Sequence, residues 1–148
     1  MTLLDATPEQ PHSKTLRYAV SGVALVILLT FALWYFVLRF LPEKRAVAEL
    51  MDAVAAEKYE TAYKIWKPQS SYTYDRFLAD WGADGYYGPI KSYEIVTARA
   101  PAGSSGTVVL VRISPEPTFP DENDPKSKRT RSVALWVEGK DLSFSFPP

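Results

Sequence analysis

From Tyr18 to Leu38 the chain runs through 21 positions, YAVSGVALVILLTFALWYFVL, without a charged side chain. A helix rises about 1.5 Å per residue and bilayer hydrocarbon is about 30 Å thick, so roughly 20 apolar residues match one crossing. A helix buried in a small soluble domain would keep a polar stripe. Here Ser21 and Thr30 are the only polar side chains besides two tyrosines, and each is able to bond back to its own helix. The pattern therefore predicts a transmembrane helix over residues 18–41, with the lipid bilayer as its first partner. Tyr18 marks one interface and Trp34 and Tyr35 the other, while Arg39 is placed to snorkel and Pro42 interrupts the regular helix. A cleaved export signal is the competing reading, because AVA at Ala46–Ala48 fits a small-x-small site. The run exceeds an ordinary signal core of about 7 to 15 residues, and Arg39, Lys44 and Arg45 intervene before that site, so an uncleaved anchor is the better fit.

Beyond Pro42 the apolar positions recur at three- and four-residue steps. Val47, Leu50, Met51 and Val54 predict one buried helix face; Tyr59, Ala62, Tyr63 and Trp66 resume the period after a polar elbow at Glu57-Lys58 and end before Pro68. Ser71 or Thr73 is placed to cap a third helix, YDRFLADW, with Phe77, Leu78 and Trp81 as its apolar edge and Gly82 as its release. After the loop GADGYYGP the period becomes two. IKSYEIVTARA, GTVVLVRIS, RSVALWVEG and DLSFSF read as strands, the last alternating Leu142, Phe144 and Phe146 with Ser143 and Ser145. APAGSSG and EGKD serve as hairpin turns, and PEPTFPDENDPKSKRT, with no apolar period, is expected to be a long wet loop. The expected fold class is α+β: one N-terminal transmembrane helix, then a domain of three helices and roughly four antiparallel strands in a curved sheet. Residues 1–17 are read as a disordered tail and 42–148 as one small soluble domain.

Charge narrows the functional classes. From Pro42 onward the chain holds 14 Lys plus Arg against 15 Asp plus Glu, a net balance of minus one that offers nothing to a nucleic-acid backbone. No nucleic acid is expected as a partner. The absence of cysteine excludes disulfides and a lipid-modified cysteine anchor. Lys14 and Arg17 precede the span and Arg39, Lys44 and Arg45 follow it, so the positive-inside rule is nearly balanced; the short tail favours placing the C-terminal domain outside the cytoplasm.

The segment AELMDAVAAEKYETAYKIW resembles the opening of domains in the nuclear-transport-factor-2-like, or cystatin-like, superfamily. An alanine-rich helix, an elbow and a Y-x-x-A-Y helix precede the sheet there, and the matching residues here are Ala53, Ala56, Tyr59, Ala62 and Tyr63. GPIKSYEIVTARA is similar to the first long strand of such domains, which occur in many small bacterial proteins behind an N-terminal anchor. The resemblance spans residues 43–146 and implies a cone-shaped domain on a bacterial inner-membrane anchor. Enzymes of that superfamily usually hold a His–Asp pair, or an Asp with tyrosines, inside the cone. The only histidine here, His12, lies ahead of the span.

A general base would accordingly fall to Asp52, Asp75, Asp80 or Glu94, with Tyr63 or Tyr93 as donor. Each has an ordinary alternative: Asp52 on a polar helix face, Asp75 in a first turn where it complements the helix dipole, Glu94 beside Lys91 on a strand. No catalytic residue, cofactor or metal site is assigned. The domain lacks the Cys and His that zinc requires, and no P-loop, GxSxG or GxGxxG occurs. DENDP resembles part of a calcium loop but lacks the central glycine and the closing glutamate. KSKRTR offers contact with anionic lipid, offset by six acidic residues from Glu116 to Asp141. The aromatic set in SYTYDRFLADWGADGYYGP is the stronger signal for a partner, with Tyr72, Tyr74, Tyr86 and Tyr87 as the candidate interface. Tyr86 and Tyr87 cannot both turn inward from an extended loop. The expectation is a membrane-anchored binding or scaffolding module, an accessory or assembly subunit docking on membrane protein partners. The competing expectation is a small-ligand-binding or isomerase-like pocket protein.

Overall fold

The computed structural model of this 148-residue chain describes residues 12–68 and 71–148. The chain divides into two units, Met1–Arg39 and Phe40–Pro148.

The first unit is helix α1, His12–Leu38, 27 residues long. It begins earlier than the sequence pattern suggests: residues 12–17, expected to be disordered, are helical. Ser13 to Arg17 contain neither glycine nor proline, and adding turns to an existing helix costs far less than nucleating one. Residues 1–11 of the expected tail lie outside the described residues. Thr30 bonds back as anticipated, its hydroxyl donating to the Val26 carbonyl at 2.8 Å.

The second unit opens with helix α2, Leu41–Ala55, with Pro42 in its first turn, where a missing N–H costs nothing. Ala46, Val47, Leu50, Met51, Ala53 and Val54 are buried, the face the periodicity marked. The helix closes on a Schellman motif. The Lys58 N–H donates to the Ala53 carbonyl and the Glu57 N–H to Val54, with Glu57 in the left-handed region at φ 60°. That turn is the elbow into α3, Tyr59–Trp66, which buries Ala62 and Trp66 and ends at Lys67, also left-handed. Helix α4, Tyr74–Trp81, is capped by the Thr73 hydroxyl, which accepts from the Arg76 N–H, and buries Phe77 and Trp81.

Strands β1 (Ser92–Arg99), β2 (Gly106–Ser114), β3 (Arg131–Glu138) and β4 (Phe144–Ser145) form one antiparallel meander in the order β1-β2-β3-β4. Val109, Val111 and Ile113 of β2 and Val133, Leu135 and Val137 of β3 alternate onto the buried face and meet α2 and the aromatic side chains of α3 and α4 in one core. On the opposite face the Trp136 ring covers Gly106, where a Cβ would sit 2.6 Å from the indole; only glycine fits there.

Two elements differ from the sequence pattern. DLSFSF pairs as a strand over Phe144–Ser145 alone, because Leu142 adopts φ 56° and the Asp141 carboxylate accepts from both the N–H and the hydroxyl of Ser143, bending the chain into a turn. Phe144 is buried, while Leu142 is half-buried and Phe146 sits at the rim. The long β2–β3 loop is also more ordered than its composition implies. It carries a short 3-10 helix, Pro125–Arg129, capped by Asp124; Pro120 is buried, and the Arg112 guanidinium lies 5.3 Å from the centre of the Phe119 ring.

Candidate functional site

Along α1 the large apolar side chains from Leu16 to Val37 are exposed, and one helix among the described residues is long and apolar enough to cross a membrane. Tyr18, Trp34 and Tyr35 are exposed with the rest, and the Arg39 guanidinium lies 6.0 Å from the centre of the Tyr35 ring.

In the second unit the aromatic residues converge rather than spreading over the surface. Trp66 is the hub: its ring stacks on Tyr72 and Phe144 and meets Phe77, Trp81 and Phe146. Trp81 stacks in turn on Tyr87 and Phe146. This divides the four candidate interface tyrosines. Tyr72 is half-buried against Trp66 and donates its hydroxyl to Asp80 Oδ2 at 2.7 Å. Tyr74 packs edge-on against Tyr63, whose hydroxyl donates to the Tyr72 carbonyl at 2.7 Å. Tyr87 is half-buried on Trp81, and Tyr86, 70% exposed, projects from the loop.

The loop holds that geometry because it is tied back rather than extended. The Tyr86 and Tyr87 N–H groups donate to the Ala79 and Asp80 carbonyls, satisfying acceptors that the end of α4 leaves open. Gly88 then passes so close to Gly82 that a Cβ would lie 1.9 Å from its carbonyl oxygen. Arg131 braces the outer side by donating to the Tyr86 carbonyl at 2.8 Å.

The candidate acid–base residues are dispersed. Asp52 is exposed on α2 and accepts from the Tyr93 hydroxyl at 2.7 Å, a contact joining helix to sheet. Asp80 is engaged by Tyr72, Asp75 is exposed in the first turn of α4, and Glu94 pairs with Arg112 at 3.4 Å. Glu94 does not meet Lys91, which pairs instead with Glu57 at the elbow. Burial, followed by the hydrogen bond to a carboxylate, pushes the Tyr72 and Tyr93 hydroxyls well above the ordinary phenol range. Both phenols are thus held as neutral donors that orient a carboxylate. Among the described residues, no three His, Cys, Asp or Glu side chains are grouped so as to hold a metal ion. Asp124 of DENDP turns its carboxylate onto the Lys126 N–H.

A surface cleft of about 470 Å3 opens where three segments meet. Tyr87, Gly88 and Pro89 form one wall, Ile113, Ser114 and Pro115 another, and Lys128, Arg129 and Arg131 the rim. None of Asp52, Asp75, Asp80 or Glu94 lines it. The sequence signalled both halves separately, as DGYYGP and KSKRTR, but not their meeting, which depends on the β2–β3 loop folding back beside the end of β2.

No family model matches the chain, and no curated protein or solved structure matches it.

Proposed function

We propose that this chain is a single-pass membrane protein whose small α+β domain is a binding or scaffolding module, an accessory or assembly subunit of a larger membrane complex. The observation that carries the reading is α1, a 27-residue helix whose large apolar side chains are exposed from Leu16 to Val37 and call for lipid around them. The folded unit adds support. Its interior is filled by packed aromatic and aliphatic side chains, and Asp52 and Asp80 are engaged by tyrosines and Glu94 by Arg112, an arrangement suited to presenting a surface rather than to moving protons. Tyr86 is the docking anchor in this reading: a large exposed ring on a loop rigidified by α4 and Arg131 loses little freedom when it is covered. The anchor lies in a bacterial inner membrane with the domain outside the cytoplasm, and the domain belongs with the nuclear-transport-factor-2-like modules that the Y-x-x-A-Y helix resembles.

The test is co-purification of the full chain from mild detergent, followed by mass spectrometry, with Tyr86→Ser alongside. A membrane protein recovered with the native chain and lost with Tyr86→Ser, at unchanged melting temperature, supports the reading. Equal recovery removes Tyr86 from the interface.

A further inference from the structure

Three cations rim the cleft beside Tyr87, and they are not equally compensated. Arg129 pairs with Glu116 at 3.1 Å, a carboxylate that Lys126 also approaches at 3.7 Å. Lys128 and Arg131 have no carboxylate partner among the described residues; Arg131 spends one N–H on the Tyr86 carbonyl and keeps its remaining donors. Two positive charges are therefore left over at one concavity in a unit whose whole charge is close to neutral. The walls are of a different character. The half-buried Tyr87 ring, Pro89, Ile113 and Pro115 give apolar surface, and about 470 Å3 lies within the range of small-molecule sites.

We propose that this cleft binds a small organic phosphate monoester, its phosphate held by Lys128 and Arg131 and its organic part lying on Tyr87 and the two prolines. The match is one of charge and shape. A monoester carries about −1.5 to −2 at neutral pH, which nearly offsets the two uncompensated positive charges, whereas a diester or a carboxylate brings one negative charge. Arg131 supplies a planar fork for two phosphate oxygens and Lys128 a point charge that adapts to the third. Arg129, tied to Glu116, fixes the rim of the loop and leaves the other two to the ligand. The phosphate could be offered by a soluble metabolite or by a lipid with a monoester headgroup. This inference stands on the cleft alone and does not require the docking role of Tyr86.

The probe is phenyl phosphate, titrated into the full chain in nanodiscs of phosphatidylcholine, with phenyl sulfate as the singly charged control of the same shape. Saturable binding of phenyl phosphate, at least tenfold weaker in Lys128→Ala and in Arg131→Ala and undetectable in the double variant, with phenyl sulfate at least tenfold weaker than phosphate, is the expected result. Both side chains are exposed, and an unchanged melting temperature for Lys128→Ala, which removes no described contact, separates lost binding from lost folding. Discs containing phosphatidate then distinguish the source: competition with phenyl phosphate identifies a lipid headgroup, and its absence a soluble ligand. No saturable binding, equal binding of the sulfate, unchanged binding in both single variants, or stronger binding of an aspartate-rich peptide than of phenyl phosphate would overturn the proposal.

Discussion

Helices α1 and α2 follow each other in the chain and treat their apolar residues in opposite ways. In α1 the large apolar side chains are exposed; in α2 six residues are buried on one face while Arg45, Glu49 and Asp52 are exposed on another. Both are rich in alanine, leucine and valine, so helix propensity does not separate them. What separates them is where the charges fall. A helix with a charged side suits an interface between core and water, whereas a helix with no charged side has the length and composition to cross a membrane. The lesson is that one short break near Arg39 separates a helix exposed along its length from one that buries a face.

The largest effect on this contrast should come from giving α1 a polar side. Leu25→Arg together with Leu29→Arg places two guanidiniums one turn apart in mid-helix, each disfavoured there by about 2.5–3.5 kcal/mol. The native chain should stay with membranes through alkaline washing, and the double variant should be released; release of the native chain would break the comparison. Next in size is the opposite defect, a hole in the second unit. Phe144→Ala removes a ring stacked on Trp66 and should cost about 3–5 kcal/mol in denaturant unfolding, whereas Ser143→Ala, on the turn beside it, should cost about 0.5 kcal/mol or less.

A smaller effect is expected at Tyr72. Tyr72→Phe keeps the stack on Trp66 but deletes the bond to Asp80, for about 1–2 kcal/mol near neutral pH. Its sign with pH is fixed. The folded state holds the phenol above its ordinary value, so the contribution is complete below about pH 10 and is lost as pH rises further, when the unfolded chain ionises first. Alkaline melting curves of Tyr72→Phe should accordingly fall less steeply than those of the native protein. The smallest effect belongs to Tyr86→Ser, within about 0.5 kcal/mol, because the ring is exposed. A large loss of stability there would return Tyr86 to the core.

The helices and the two central strands were legible because their signal is periodic and local: Val47, Leu50, Met51 and Val54 at helical spacing, and Val109, Val111 and Ile113 at strand spacing, are all buried. The last strand was over-read because alternation in Leu142, Phe144 and Phe146 is silent about the Asp141 side-chain turn that consumes its beginning. The tyrosines were legible as a group but not individually. Which ring stacks on a tryptophan and which projects depends on loop hydrogen bonds to Ala79 and Asp80, and backbone groups leave no mark in composition. The cleft was illegible for a related reason, since Tyr87 and Arg131 meet only through the folded-back loop.

The two margins of the sheet restrict how anything can join it. At one margin β1 carries a bulge: Ile95 faces Val111 and Thr97 faces Leu110, which leaves Val96 unpaired and exposed. An extra residue there breaks the even ladder of amide and carbonyl groups that an incoming strand would follow. At the other margin β4 offers two residues before Pro147 and Pro148, which have no N–H to donate. An extended peptide adding as a strand would meet the bulge on β1 at one margin and only a two-residue β4 at the other.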